Sequence, residues 1–196
     1  MKIEEGELDH MIDFMLTADK LKGIERTGWV LRGVDKPEHV GDHSFSMALL
    51  SYLLAGRMGL DAGKCAALGL VHDLAEADTG DMLTRAREED QPVSRSEKGR
   101  LVRVAMSRII SLLGKDLAPA VGALWDEYEK GSSEEARLVA QVDKLDIVLM
   151  LVKYSKYLGD DAVDEFLFTT GSKITIPEVR YIYEELKRKL VAMRKK

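Results

Sequence analysis

His72-Asp73 stands in an apolar stretch, directly after Leu68, Gly69, Leu70 and Val71. Burying a charged group there costs on the order of several kcal/mol unless it is paired or bound to metal. Glu76 follows His72 by four positions and, on a continuous helix, shares its face. Asp81 comes five residues later, past a Thr79-Gly80 turn. Alone, this group also reads as the solvated acidic end of a helix. A distant carboxylate changes the balance. Asp143 has Val139 and Ile147 four positions to either side, which aims its side chain at the core. Arg137, Lys144 and Lys153 are bases that could pair with it, but Asp146 reads as their better placed surface partner. Asp143 then wants a cation, and a bound metal supplies one. His43, beside Phe45 and Met47, completes a set of two imidazoles and two carboxylates. That set suits a divalent metal at about 2.0–2.2 Å, with positions left for water.

A metal held by such a set lowers the pKa of bound water to near neutrality and can neutralise an anionic oxygen. Glu76 or Asp81 can orient water or shuttle a proton, and the sequence leaves open which does which. The stretch from Lys20 to Lys36 holds Lys20, Lys22, Arg26, Arg32 and Lys36 against Glu25 and Asp35, a local positive excess that suits phosphate. His39-x-x-x-His43 has a spacing that binds metal when helical. Pro37 and Gly41 indicate that the helix starts too late for it. Cys65, seven residues before His72, reads as a small core residue.

The elements that must hold these groups read almost entirely as helix, since four prolines and few alternating β-branched runs leave little room for sheet. A first helix is expected over about Leu8–Leu21, with Leu8, Met11, Ile12, Met15 and Leu16 on its buried face. A loop follows to Pro37. A second helix is expected from about Asp42 to Met58, buried along Phe45, Leu49, Tyr52 and Leu53. Asp61 caps a third that runs on through His72 to about Glu76. The polar stretch Arg85–Pro92 reads as a loop. Ser94-x-x-Glu97 and Ser132-x-x-Glu135 have capping-box spacing and open helices to about Leu113 and Leu158, with a shorter helix from Asp116 to Lys130 between them. Another short helix starts at Asp160 or Asp161. Pro177 starts the last one, to about Met193.

Composition narrows the function classes. The chain has 196 residues, 45% of them apolar and 32% charged, which fits one globular domain. A net charge of -5 and a pI near 5.5 argue against general nucleic-acid binding. The longest aliphatic run, Ile147–Val152, is far short of a membrane span. Acids near the N-terminus, where a signal peptide would be apolar, predict no export, and a single cysteine fits a reducing compartment. A cytoplasmic location is the expectation. There is no glycine-rich phosphate loop, dinucleotide fingerprint or cysteine-pair zinc motif. The basic tail, from Lys187 to Lys196, reads as a solvated helix end.

In order along the chain, His43, His72-Asp73 and Asp143 match the H…HD…D signature of the HD superfamily of metal-dependent phosphohydrolases. The resemblance extends beyond that signature. Arg26-Thr-Gly-Trp29-Val, Pro37-Glu-x-Val-x-Asp-His43-Ser, His72-Asp-Leu-Ala-Glu76, Gly80-Asp81 and Gln141-Val-Asp-Lys-Leu-Asp146 resemble the HD-domain 5′-deoxynucleotidases. The motifs spread over about residues 19–157. The resemblance implies an all-α, single-domain HD-type helical bundle over residues 1–196, with the helix near 177–193 packed on the motif-bearing core. It implies a homodimer that removes the 5′-phosphate of deoxynucleoside monophosphates with one divalent metal: Co²⁺, Mn²⁺, Zn²⁺, Fe²⁺, Ni²⁺ or Mg²⁺.

Residue by residue, the resemblance makes His43, His72, Asp73 and Asp143 the metal ligands and Glu76 and Asp81 the catalytic carboxylates. Trp29 matches an aromatic near the substrate sugar. Arg26 is the better match to the family's phosphate-binding arginine, and Arg32 is the alternative. No histidine follows His72, which favours one metal over the two-metal relatives that carry further histidines downstream. Two other readings stay open: hydrolysis of another phosphorylated metabolite, such as a nucleoside triphosphate or an alarmone, and a non-catalytic HD module that binds a nucleotide or a partner helix.

Overall fold

Hydrophobic periodicity places helices along nearly the whole chain, and the computed structural model, which describes residues 5–83 and 92–194, is helical throughout. The helices are α1 (Glu5–Asp19), α2 (Thr27–Val30), α3 (Val40–Met58), α4 (Ala62–Val71), α5 (Glu76–Thr79), α6 (Arg95–Ser111), α7 (Gly114–Lys130), α8 (Glu134–Tyr154), α9 (Asp160–Gly171) and α10 (Pro177–Arg194). Short 3-10 turns follow α1 at Lys20–Gly23 and α8 at Ser155–Tyr157. An isolated antiparallel bridge joins Glu25 to His39. The expected loop at Arg85–Pro92 lies outside the described residues except for Pro92. No helix among the described residues is long and apolar enough to cross a membrane.

The centre of the bundle is α8, with α3, α4, α7, α9 and α10 packed against it. A helix surrounded in this way must be apolar on several faces. Accordingly Leu138, Val139, Val142, Leu145, Val148 and Leu151 are all buried. A second apolar cluster joins Leu21, Val40 and Val71 to Leu74, Ala75, Ala105, Met106, Ile109 and Trp125. Between them these clusters fix α3 and α8, which carry His43 and Asp143, and α4, whose end sets the turn that carries His72 and Asp73.

Several expectations shift by a residue or by a face. Ser94 and Asp61 do cap their helices, accepting from the backbone N–H of Glu97 and Lys64. At α8 the cap is Ser133, not Ser132, and it accepts from Ala136 N–H. The loop after the first helix contains α2, and α4 stops at Val71, so His72 and Asp73 fall in a turn and Glu76 starts a separate short helix. The helix-face argument linking His72 to Glu76 therefore fails, though the turn still brings both to one site.

The larger correction concerns which faces are buried. Phe45, Leu49, Tyr52 and Leu53 on α3 are exposed, as are Leu8, Met11, Ile12, Met15 and Leu16 on α1. The buried face of α3 carries smaller side chains instead: Ser44, Ala48, Ser51 and Ala55, with Met47 and Leu54. Small residues let α4 approach closely. A Cβ on Gly69 would lie 2.9 Å from Ala48 Cα. Close backbone approach, not side-chain bulk, selected that face.

Candidate metal centre

The site assembles where α3, the α4–α5 turn and α8 meet. His43 enters from the first turn of α3 and is fully buried. Its Nε2 lies 3.3 Å from His72 Nε2, 3.8 Å from Asp73 Oδ2 and 3.4 Å from Asp143 Oδ1. His72 Nε2 is 3.0 Å from Asp73 Oδ2. Of the four ligands expected from the sequence, His43, His72 and Asp73 come together and Asp143 approaches His43, from positions a hundred residues apart on the chain. His43, His72 and Asp73 form a compact trio. Asp143 joins through His43, and its other oxygen pairs with Lys144 Nζ at 2.5 Å.

The separations bear on whether a metal fits. Donors each about 2.0–2.2 Å from one ion stand about 2.8–3.6 Å from their neighbours in tetrahedral or octahedral arrangement. The His43–His72, His72–Asp73 and His43–Asp143 spacings fall in that range. Two imidazoles and two carboxylates are a suitable donor set for a divalent ion. The residues fit the group that the signature implies.

Charge in the cluster is heavily redistributed. Burial and the Arg26 charge oppose protonation of His43, but hydrogen bonds to Asp143 and Asp146 prevail and raise its pKa to about 9. Burial pushes Asp73 upward, while His72, His43 and Arg26 together hold it well below the usual carboxylate range. Asp143 is likewise held low against burial by Lys144, His43 and His72. Glu76 behaves oppositely. Burial, then the charges of Asp73 and Asp81, drive its pKa up to about 9. Its Oε2 is buried without a hydrogen-bond partner. A carboxyl in that state holds a proton near neutral pH, as a general acid–base group should.

A cavity of about 830 Å³ opens over the cluster. Asp73, Glu76, Asp81 and Asp143 line it together with the basic residues Arg26, Arg32, Lys98, Lys144 and Lys173. Arg26 reaches the cluster directly, with Nη1 3.5 Å from Asp73 Oδ2. Its neighbour Thr27, at the start of α2, donates its backbone N–H to Asp81 Oδ2 at 2.6 Å and its hydroxyl to Asp81 O. Asp81 therefore ties the loop after Gly80 to the arginine's own helix. Gly80, with φ +68°, turns the chain toward that contact.

Arg32 is engaged elsewhere on the cavity wall. It stacks over Phe166 at 4.2 Å and pairs with Glu165 at 3.2 Å. Trp29 is almost wholly buried, boxed by Tyr154 and Phe166, and its Nε1 donates to Glu38 Oε1 at 2.9 Å. It forms cavity wall and not an exposed platform. His39 caps α3 and contacts Asp42, through its backbone N–H at 3.0 Å and Nδ1 at 3.2 Å. The helix starts at Val40, two residues before the expected Asp42 and with Gly41 inside it, yet His39 remains outside as its cap, so His39 and His43 do not share a helical face.

Sequence reasoning missed two buried carboxylates, Asp146 and Glu38. Asp146, expected on the surface, is 1% exposed and meets His43 Nδ1 at 2.7 Å. The test applied to Asp143 would have found it, because Val142 and Met150 are also apolar neighbours four positions away. Glu38 carried no such pattern. Lys144, named as one possible base beside Asp143, is its actual ion-pair partner.

Comparison with known proteins agrees with this architecture. A family model described as an HD domain matches residues 18–180. The chain is 34% identical over 177 residues to the Homo sapiens protein named 5′-deoxynucleotidase HDDC2, covering 90% of this chain and 84% of that one. It is 30% identical over 175 residues to 5′-deoxynucleotidase hdd1 of Schizosaccharomyces pombe, covering 87% and 85%. Among solved structures, a conserved hypothetical protein from Pyrococcus furiosus aligns with a TM-score of 0.68 at 33% identity, over 90% of this chain and 99% of that one. A protein from Magnetospirillum magnetotacticum described as a predicted metal-dependent phosphohydrolase aligns with a TM-score of 0.71 at 25% identity, over 97% of each. With the family model spanning most of its length and the helical bundle in place, this chain belongs to the HD-domain family.

Proposed function

We propose that this protein is a phosphoric monoester hydrolase that removes the 5′-phosphate from deoxynucleoside monophosphates. One observation carries the reading: His43, His72 and Asp73 come together, with Asp143 against His43, beside a cavity that Asp73 and Asp143 line along with Arg26, Lys98 and Lys144. Those four side chains would hold one divalent ion, which would neutralise phosphate charge and ease deprotonation of water. The guanidinium of Arg26 takes a phosphate oxygen, exchanging part of its contact with Asp73 for one with substrate. Glu76, which lines the cavity and holds a proton near neutral pH, exchanges that proton during the reaction. Asp81 orients the reacting groups and, through Thr27, holds Arg26 in register. Trp29 and Phe166 form the wall against which the sugar rests, and Arg32 braces Phe166. The relatives named 5′-deoxynucleotidase support the substrate class.

In this reading residues 1–196 form one domain that works in the cytoplasm as a homodimer. The apolar face of α3, with Phe45, Leu49, Tyr52 and Leu53 exposed, supports pairing of two copies. The lone buried Cys65 suits a reducing compartment.

The test is phosphate release from a panel of ribo- and deoxyribonucleoside monophosphates. Metal-stripped protein should be inactive and should recover with Co²⁺, Mn²⁺, Zn²⁺, Fe²⁺, Ni²⁺ or Mg²⁺, preferring the deoxy series. Equal release from every nucleotide without added metal would overturn the proposal.

A further inference from the structure

Two imidazoles face each other across the cluster through Nε2, at 3.3 Å. Each can present a lone pair there only if its proton sits on Nδ1. At His72 this is arranged by the backbone. Nδ1 lies 2.8 Å from Gly69 O, and a carbonyl oxygen only accepts, so Nδ1 carries the proton. At His43 the same position is filled by a side chain. Asp146 Oδ2 lies 2.7 Å from Nδ1, and both residues are buried on facing helices, α3 and α8.

We infer that Asp146 is a positioning residue for the metal centre: it holds the His43 ring in the Nδ1-protonated form, with Nε2 turned toward His72, Asp73 and Asp143. An ionised carboxylate accepts from Nδ1–H and makes the opposite nitrogen a better donor to a metal. Asp146 does not itself reach the cluster, so its action passes through His43. The inference rests on the metal-site reading proposed above.

A rival arrangement uses the same atoms. One oxygen of Glu38, one of Asp146 and a ring nitrogen of His43 all lie within 4.8 Å of one another. A cation held there by Nδ1 would leave the proton of the neutral ring on Nε2, where it would block donation toward His72 and Asp73. One ring cannot serve both positions while neutral. The short Nδ1 contact with Asp146 and the additional partners at Nε2 favour the cluster side. Glu38 is engaged instead by the indole N–H of Trp29.

The experiment is calorimetric titration of metal-stripped full-length protein with Co²⁺. Asp146→Asn keeps an oxygen that accepts from Nδ1–H and should bind about 10-fold more weakly than the parent, and Asp146→Ala about 100-fold. Parent-level affinity in both variants, with the parent itself binding Co²⁺, would overturn the inference and leave the metal-site reading intact. A parent that binds no divalent ion would overturn both. Long-range ¹H–¹⁵N NMR of the Zn²⁺-loaded parent gives a readout that does not depend on the folding of Asp146→Ala. His43 should be protonated at Nδ1 and metal-bound at Nε2. Metal at Nδ1, or a proton at Nε2, would overturn the assignment.

Discussion

Arg26 Nη1 lies 3.5 Å from Asp73 Oδ2, although the two residues are 47 positions apart. The arginine that is suited to phosphate is thus already paired with an acid of the metal cluster. Both side chains are largely buried, so each neutralises a charge that would otherwise be costly. A phosphate entering the cavity offers Arg26 a second partner without moving it far. Replacing Arg26 by Ala removes that contact and should lower kcat/KM by about 10²–10³-fold, the scale for losing one preorganised donor to a developing oxyanion. Arg26→Lys keeps the charge but loses the planar fork, and should recover only part of the rate. Steady-state kinetics on a deoxynucleoside monophosphate decides it, and an unchanged rate in Arg26→Ala would reassign the phosphate contact.

Glu76 gives a prediction about both rate and pH. Glu76→Gln should retain metal but lose turnover by about 10²–10⁴-fold. In the metal-stripped protein the same carboxyl has its pKa raised to about 9 from an ordinary 4.5. The folded state then holds a proton that the unfolded state releases, so stability falls as pH rises from 4.5 through 9. His43, raised from 6.5 to about 9, acts in the same direction: its contribution is present below 6.5 and lost as pH passes 9. The Tm of metal-stripped protein should therefore fall between pH 6.5 and 9, and Glu76→Gln should flatten part of that fall. A Tm that climbs across the window in the parent would contradict the burial argument.

The candidate metal site was legible because two of its parts broke a local rule, and His43 then completed the set. His72-Asp73 interrupts an apolar stretch, and Asp143 sits between aliphatic neighbours on α8. Helix content and most caps were legible for a similar reason, since Asp61 and Ser94 are local signals that need no knowledge of tertiary packing. The buried faces of α1 and α3 were not. Periodicity ranks side chains by size and apolarity, so Phe45 and Leu53 outranked Ser44, Ala48 and Ser51. The fold instead buries the small ones, where α4 crosses. Asp146 was misread as a surface partner although Val142 and Met150 flank it; what lay beyond local reach was its pairing with His43, 103 positions away on another helix. No local pattern carries that pairing.

Gly69 tests the packing on which the site depends. Its Cβ would fall 2.9 Å from both Cα and N of Ala48, backbone atoms that cannot swing away. Its carbonyl also receives the Nδ1–H of His72. Gly69→Ala must push α4 from α3, at a cost of about 1–3 kcal/mol, and should displace His72 with it. The variant should melt earlier than the parent and bind Co²⁺ more weakly. Gly56→Ala is the matched comparison, since a Cβ at this exposed helical position meets nothing within 4 Å. It should gain up to about 1 kcal/mol from helix propensity alone. Equal melting of the two variants would show that the α3–α4 contact is looser than described.

The exposed face of α3 gives the last prediction. Phe45 is 66% exposed and Leu53 58%, with Leu49 and Tyr52 between them on the same surface. Large apolar side chains gathered on one side of a helix favour burial against a second surface. A two-fold pair would bury the same face from each copy, so one charge introduced there is counted twice and set near its own image. Leu53→Glu should therefore convert a dimer to a monomer in sedimentation velocity at micromolar concentration. Because Leu53 already faces outward within one copy, the monomer should keep the helical signal of the parent. Val40 and Met47, fully buried on the same helix, provide the contrast, since Met47→Glu would unfold each copy. A parent that sediments as a monomer, or a Leu53→Glu variant that stays dimeric, would remove α3 from the interface.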